Sequence, residues 1–243
     1  MPARRKNKVL RALLAMTFLA LFLPFAALIC FPWTFISGDA GFMYRFAIRG
    51  AAFAVRLAGI RVQVEGNERL DPKQTYIFMS NHVSNLDPPI VIPALPGRAS
   101  VLVKKEVFKV PILGRAMKMA SLVPVDRRNR EAAIASIERA AEVMRSGIHM
   151  AVFPEGTRSR DGHLLPFKKG PFYLALETGL PIVPVTVIGT YEMMPKGRFS
   201  IRPGIARVVF HAPIDPKQIG DRDSLMAAVA ASIASAMPQE VQT

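Results

Sequence analysis

The sequence predicts an α/β fold, a mixed sheet flanked by helices, preceded by an N-terminal hydrophobic two-helix membrane hairpin. Three observations carry this expectation. Beyond residue 60, short apolar runs alternate with amphipathic stretches of helical period, the pattern of layered sheet and helix. From Ala12 to Gly38 there is no charged side chain. The chain has 243 residues, 51% hydrophobic and 21% charged, long enough to bury a core and too apolar for a disordered chain. The expected division is 1–60 for the membrane-associated helices and 61–243 for the α/β domain.

The N-terminus opens with Arg4, Arg5, Lys6, Lys8 and Arg11 and no acid. As a helix, the uncharged run that follows reaches roughly 40 Å, enough to cross a hydrocarbon core of about 30 Å. A cleaved signal peptide has a shorter apolar core and a small-x-small site before the next segment, and this chain shows neither. In the next segment Arg45, Arg49 and Arg56 fall within about 40° of one another on a helix. Phe42, Phe46, Ala52, Phe53 and Leu57 make its other faces apolar, as in a helix lying at an interface with arginines toward lipid phosphates. A hairpin bent near Pro32 and Gly38, dipping into one leaflet and returning, follows. The alternative is one span and one core helix.

Strands are predicted at Arg61–Glu65, Thr75–Ser80, Ser100–Lys104, Leu122–Val125, Met150–Phe153, Ile182–Ile188 and Ala206–Phe210. Between them, a helix from Asn129 to Arg145 carries Ile134, Ile137, Ala141 and Met144 on one stripe and stops at Gly147. A second opens at Gly170-Pro171 and closes at Gly179, and Asp223 caps a terminal one. No repeat or low-complexity linker divides the region.

Charge and cysteine content narrow the function. Lys and Arg number 32 against 18 Asp and Glu, a net charge of +14, which calls for an anionic partner: nucleic acid, an acidic membrane surface or a phosphorylated substrate. A nucleic-acid-binding module leaves the uncharged run without a role and lacks a reading motif. The single cysteine, Cys30, excludes an internal disulfide and fits a reducing or redox-indifferent compartment. The four histidines, at 82, 149, 163 and 211, have no ligand-like spacing, so no metal site is expected.

Two loops at strand ends carry the chemistry. The first reads Asn81-His82-Val83-Ser84-Asn85-Leu86-Asp87-Pro88-Pro89. Asp87 before proline is a plausible N-cap. A turn that folds Asp87 back onto His82 instead lets the carboxylate fix the imidazole tautomer and leaves the other nitrogen to accept a proton. Ser84 lacks the Gly-x-Ser-x-Gly setting of a serine nucleophile. The second loop, Phe153-Pro154-Glu155-Gly156-Thr157-Arg158-Ser159, pairs turn formers with polar side chains.

Together these blocks resemble the glycerolipid acyltransferase family, that of the 1-acyl-glycerol-3-phosphate acyltransferases. Asn81, His82 and Asp87 match its Asn-His-x4-Asp block, and Phe153–Ser159 match its Phe-Pro-Glu-Gly-Thr-Arg-Ser block. Two further blocks are similar to Lys104–Phe108 with Pro111 and Gly114, running on to Val125-Asp126-Arg127, and to Leu180–Val185. The resemblance covers most of the chain after residue 60. It implies transfer of a fatty acyl group from a thioester, acyl-CoA or acyl-acyl carrier protein as co-substrate and no other cofactor, to a hydroxyl of a glycerol phosphate derivative. The expected product is phosphatidic acid, made from a lysophospholipid acceptor, with glycerol 3-phosphate, another lysophospholipid or lyso-ornithine lipid as the alternative acceptor within the family.

In that reading His82 is the general base and Asp87 its orienting partner, and Asn81, Lys105, Arg127, Glu155, Gly156, Thr157 and Arg158 bind substrate. Arg127 and Arg158 suit the acceptor phosphate, because a guanidinium meets phosphate oxygens at two points and stays charged. Glu155 is expected to hold an acceptor hydroxyl or a neighbouring arginine, and Gly156 and Thr157 to offer donors. Nine Lys and Arg between Arg98 and Arg130, against Glu106 and Asp126, offer a surface for anionic lipid or donor phosphates. The expected location is the inner membrane, with the active site facing the cytoplasm.

Overall fold

The computed structural model describes residues 2–126, 130–198 and 200–238. Helix α1 (Pro2–Ser37) leads to α2 (Gly41–Leu57). The α/β part then runs β1 (Ile60–Glu65), β2 (Ile77–Ser80), α3 (Asp87–Ala94), β3 (Ala99–Lys104), α4 (Leu113–Met119), β4 (Val123–Val125), α5 (Arg130–Arg145) and β5 (His149–Val152). It closes with α6 (Gly170–Thr178), β6 (Ile182–Ile188), α7 (Thr190–Met193), β7 (Gly204–Phe210), α8 (Pro216–Ile219) and α9 (Arg222–Ser235).

The strands form one mixed sheet in the order β1-β7-β6-β2-β5-β3-β4. Pairing is parallel throughout except between β6 and β7. The central strands β2, β5 and β6 are buried along almost their whole length, so they read as continuous apolar runs instead of alternating ones. Within them the side chains still alternate. Phe78, Val183 and Val185 join Val55, Ile90 and Phe210 on the face covered by α2 and α3. Ile77, Met79, Met150 and Ile182 join Met144, Phe172, Leu225 and Val229 under α5, α6 and α9. A period of two thus splits one sheet into two cores.

The N-terminal helices pack side by side and antiparallel. Ring pairs Trp33–Phe42, Phe22–Phe46 and Phe18–Phe53 descend one helix as they climb the other. Gly50 is the socket for Phe22: a Cβ there would lie 2.2 Å from the ring. The bend is at Gly38, whose φ of 69° is left-handed, and the Asp39 carboxylate accepts the Gly41 N–H at 2.7 Å. Pro32, expected at the bend, lies inside α1 together with Pro24. Missing a donor does not stop a helix whose neighbours fill the gap, as in apolar membrane helices.

Helix α1 is long and apolar enough to cross a membrane over Leu10–Ser37, and only 11% of its most apolar window is buried. Its outer face exposes Leu21, Leu28, Phe35 and Ile36. Helix α2 is tied to the sheet: the Ala99 N–H donates to the Tyr44 hydroxyl at 3.0 Å, and its arginines at 45, 49 and 56 are exposed. At the other terminus Asp221, not Asp223, caps α9, accepting the Ser224 N–H at 2.9 Å. Asp223 is already in the first turn and pairs with Arg222, two residues past the cap position.

Candidate active site

The site forms where β2, β5 and β6 end side by side. Asn81 continues the β2–β6 ladder beyond its last pair: its Nδ2 donates to the Val187 carbonyl at 2.9 Å, and the Val187 N–H donates to its Oδ1 at 2.8 Å. The side chain therefore faces the sheet and fixes the exit of the loop. Both amide functions are occupied by backbone.

His82 is held from four directions. Its N–H donates to Glu155 Oε1 at 2.6 Å, and its carbonyl accepts the Ser159 N–H at 2.8 Å. The ring stacks on Phe153 with centroids 4.3 Å apart. Its Nδ1 lies 2.8 Å from Asp87 Oδ2, with the histidine side chain 17% exposed and the carboxylate fully buried. A carboxylate in that position assigns the hydrogen to Nδ1 and leaves the Nε2 lone pair as the basic one.

The Asp87 carboxylate is seated more firmly than a cap requires. Its Oδ2 also accepts the N–H groups of Val83 at 2.7 Å and Ser84 at 2.8 Å. Leu86 is the N-cap of α3 and Asp87 its first residue. The capping expectation is corrected accordingly: the carboxylate turns back across the Val83–Leu86 turn, which brings it to His82. Negative charge there also faces the positive end of the α3 dipole. Ser84 is fully buried, and its hydroxyl donates to the Met194 carbonyl at 2.7 Å, which leaves no role as nucleophile.

Glu155 joins the two loops. It is 1% exposed; Oε1 accepts from His82 and Oε2 from the Leu165 N–H at 3.0 Å. Both oxygens are occupied by backbone donors, so its partners are neither an acceptor hydroxyl nor an arginine, as the sequence led us to expect. Burial pushes its carboxyl up to about 7 against the two N–H bonds, with the nearby Asp87 charge adding to the rise. Gly156 has a left-handed φ of 70°, and its N–H closes the turn on the Phe153 carbonyl at 3.0 Å. That donor is spent on the loop, not offered outward.

Thr157 is exposed at the rim. Lys196, on the segment after α7, donates to Thr157 Oγ1 at 3.1 Å and to the Arg158 carbonyl at 2.8 Å. This cation was not anticipated. It belongs to no motif, and the Ser84–Pro195 bridge and the Ser84 bond to the Met194 carbonyl bring its segment against the first loop. Arg158 is half-buried beside it. Lys105 stands just past the end of β3, at the same edge of the sheet, and forms an ion pair with Asp126. Arg127 lies outside the described residues.

His149 and His211 lie elsewhere. The Tyr76 N–H donates to His149 Nδ1 at 3.1 Å, and His211 Nε2 meets the Thr186 hydroxyl at 2.8 Å. Burial lowers both imidazoles below their ordinary value.

The comparisons with known proteins fall on this same region. The 1-acyl-sn-glycerol-3-phosphate acyltransferase of Limnanthes douglasii is 38% identical over 185 residues, 76% of this chain and 64% of that protein. Human 1-acyl-sn-glycerol-3-phosphate acyltransferase alpha is 38% identical over 137 residues, 56% of this chain and 48% of that one. The chain thus spans less than two thirds of the length of these relatives. The crystal structure of the 1-acyl-sn-glycerophosphate acyltransferase PlsC from Thermotoga maritima matches with a TM-score of 0.83 and 28% identity, covering 96% of this chain and 95% of that one. A family model described as Acyltransferase matches residues 61–188, which span β1 through β6 and both loops around His82, and on that match the chain belongs to the acyltransferase family.

Proposed function

We propose that this protein transfers a fatty acyl group from a thioester, acyl-CoA or acyl-acyl carrier protein, to the sn-2 hydroxyl of 1-acyl-glycerol 3-phosphate, giving phosphatidic acid. The observation that carries it is the His82–Asp87 contact, with Nε2 as the basic nitrogen, on a chain similar throughout to acyltransferases for this acceptor. The acceptor hydroxyl gives its proton to His82 Nε2 as its oxygen attacks the thioester carbonyl. Collapse of the tetrahedral intermediate breaks the C–S bond, and the imidazolium returns the proton to the departing thiolate. Asp87 stabilises the imidazolium while it lasts. A thiol pKa of about 8 to 9 makes the leaving group good enough without a separate acid.

Arg158 and Arg127 hold the acceptor phosphate, and Lys196 sets the loop that presents Thr157 and Arg158. Asn81, Glu155 and Gly156 shape the loops without touching substrate, and Lys105 adds positive potential at the same edge. The apolar face of α1 enters the membrane, with α2 folded back so that both ends of the pair stay on the cytoplasmic side. The exposed arginines of α2 meet anionic headgroups. The active site then opens toward soluble acyl donors at the inner membrane.

The test is a panel of acceptors offered with each donor to the protein in lipid or detergent, products identified by mass. Phosphatidic acid from lysophosphatidate is the expected dominant product. Arg158→Lys keeps the charge but loses paired hydrogen bonds, and should raise the acceptor KM about tenfold or more while the donor KM changes little. Preference for glycerol 3-phosphate, or for a lysolipid without a phosphate monoester, overturns the acceptor assignment.

A further inference from the structure

A cavity of about 870 Å3 opens between α1, α2, β1 and α3 and meets the loops around His82 at Pro89 alone. Arg11 from α1, Arg56 from α2 and Arg61 from β1 line it, with Val62, Pro89 and Pro93 among its apolar walls. None of its lining residues is acidic. Among the described residues, none of the three arginines is in an ion pair. Three like charges from three separate elements repel one another unless an anion lies between them.

The guanidinium of Arg11 has a prepared seat. A Cβ on Gly59 would lie 1.9 Å from its Nη1, so the glycine leaves the space that the arginine occupies. Ala12 and Ala15 are buried in the core beneath, which fixes this end of α1 on the domain. Arg11 is also the last charge before the uncharged run, and the side chains beyond it, Leu13 and Leu14 among them, are exposed. The cations therefore cluster at the level where an apolar helix meets water, which is the level of lipid phosphates.

We propose that this cavity holds one anionic phospholipid of the surrounding leaflet. Its phosphate lies among Arg11, Arg56 and Arg61, and an acyl chain runs over Val62, Pro89 and Pro93. Aliphatic walls beside a guanidinium cluster match an amphiphile and fit a free anion poorly, because a small ion leaves the walls uncovered. The site rests on the membrane placement of α1 and is independent of the acyl-transfer chemistry.

Native mass spectrometry of the full chain in detergent, loaded with equal phosphatidylglycerol and phosphatidylcholine of the same chains, tests it. The parent should retain one phosphatidylglycerol in preference to phosphatidylcholine. The double variant Arg56→Gln, Arg61→Gln should retain at least tenfold less. Ala52→Trp, at an exposed lining position, should lose the lipid equally with every charge in place. Arg45→Gln with Arg49→Gln, the same charge change on α2 outside the cavity, should retain it. Equal loss in that control would mean a diffuse electrostatic surface, and retention by Ala52→Trp would mean that the cavity is not the site. Displacement by millimolar inorganic phosphate would mean a small-anion site. Each of these overturns the proposal. Failure of the parent to bind vesicles at all would instead remove the membrane placement on which it rests.

Discussion

Asp87 shows how one side chain can hold both a loop and an imidazole ring. Its Oδ2 takes two backbone N–H groups and faces His82, while Oδ1 is buried without a partner among the described residues. Asp87→Asn must either turn its amide nitrogen toward the donors or bury it where Oδ1 found none. The variant should lose activity by at least tenfold and also melt lower, by an amount of about 1 to 3 kcal/mol for an unsatisfied buried group. Differential scanning fluorimetry beside an activity assay separates the two losses. Glu155 makes a prediction of opposite pH sign to that of an ordinary carboxylate. Its folded value of about 7 lies above its unfolded one of 4.5, so between those pH values the folded state holds more proton than the unfolded. Its contribution to stability is complete below pH 4.5 and is lost as pH rises through 7. Melting curves of the parent should fall over that window relative to Glu155→Gln, which does not titrate. Parallel curves would contradict this. The Gln variant should be less stable overall, since its NH2 must face either the His82 or the Leu165 N–H.

At the scale of elements, legibility followed locality. The strands at 100–104 and 182–188 were readable because buried faces demand apolar runs, the edge strand at 61–65 because its polar and apolar residues alternate, and α5 because Ile137, Ala141 and Met144 repeat at helical spacing. The His82–Asp87 turn was readable because both partners lie within five residues. Lys196 was not, because its position depends on the Ser84–Pro195 bridge between segments more than a hundred residues apart. The inward turn of Asn81 and Glu155 was equally hidden: a polar side chain in a loop looks the same in sequence whether it faces substrate or backbone. The packing of α1 on α2 turns on Gly50 and Phe22, and a larger side chain should part the helices. Leu raises helix propensity by about 1 kcal/mol over Gly, but a Cβ 2.2 Å from an aromatic ring forces a rearrangement worth about 1 to 3 kcal/mol. Gly50→Leu should therefore expose Cys30, 1% accessible against Met43 and Ala40, to labelling by maleimide in detergent. Labelling no faster than in the parent would contradict the packing account.

The whole molecule joins an exposed apolar helix to the α/β part through α2, which packs on α1, α3 and β1. Its topology is measurable. In a Cys30→Ser background, single cysteines in place of Lys6 and Lys73 should react with an impermeant maleimide from the same side of oriented membrane vesicles. Labelling from opposite sides would establish a span and place the active site across the membrane from the N-terminus. The central claim is that His82, oriented by Asp87, takes the proton from a lipid hydroxyl as the acyl group moves. The most direct measurement compares phosphatidic acid formation from lysophosphatidate and acyl thioester by the parent and by His82→Ala, both folded and lipid-bound. Loss of a general base should lower kcat at least about 100-fold while melting temperature and membrane binding hold, because the ring lies in a loop outside both apolar cores. Turnover by His82→Ala within a few-fold of the parent would contradict the account.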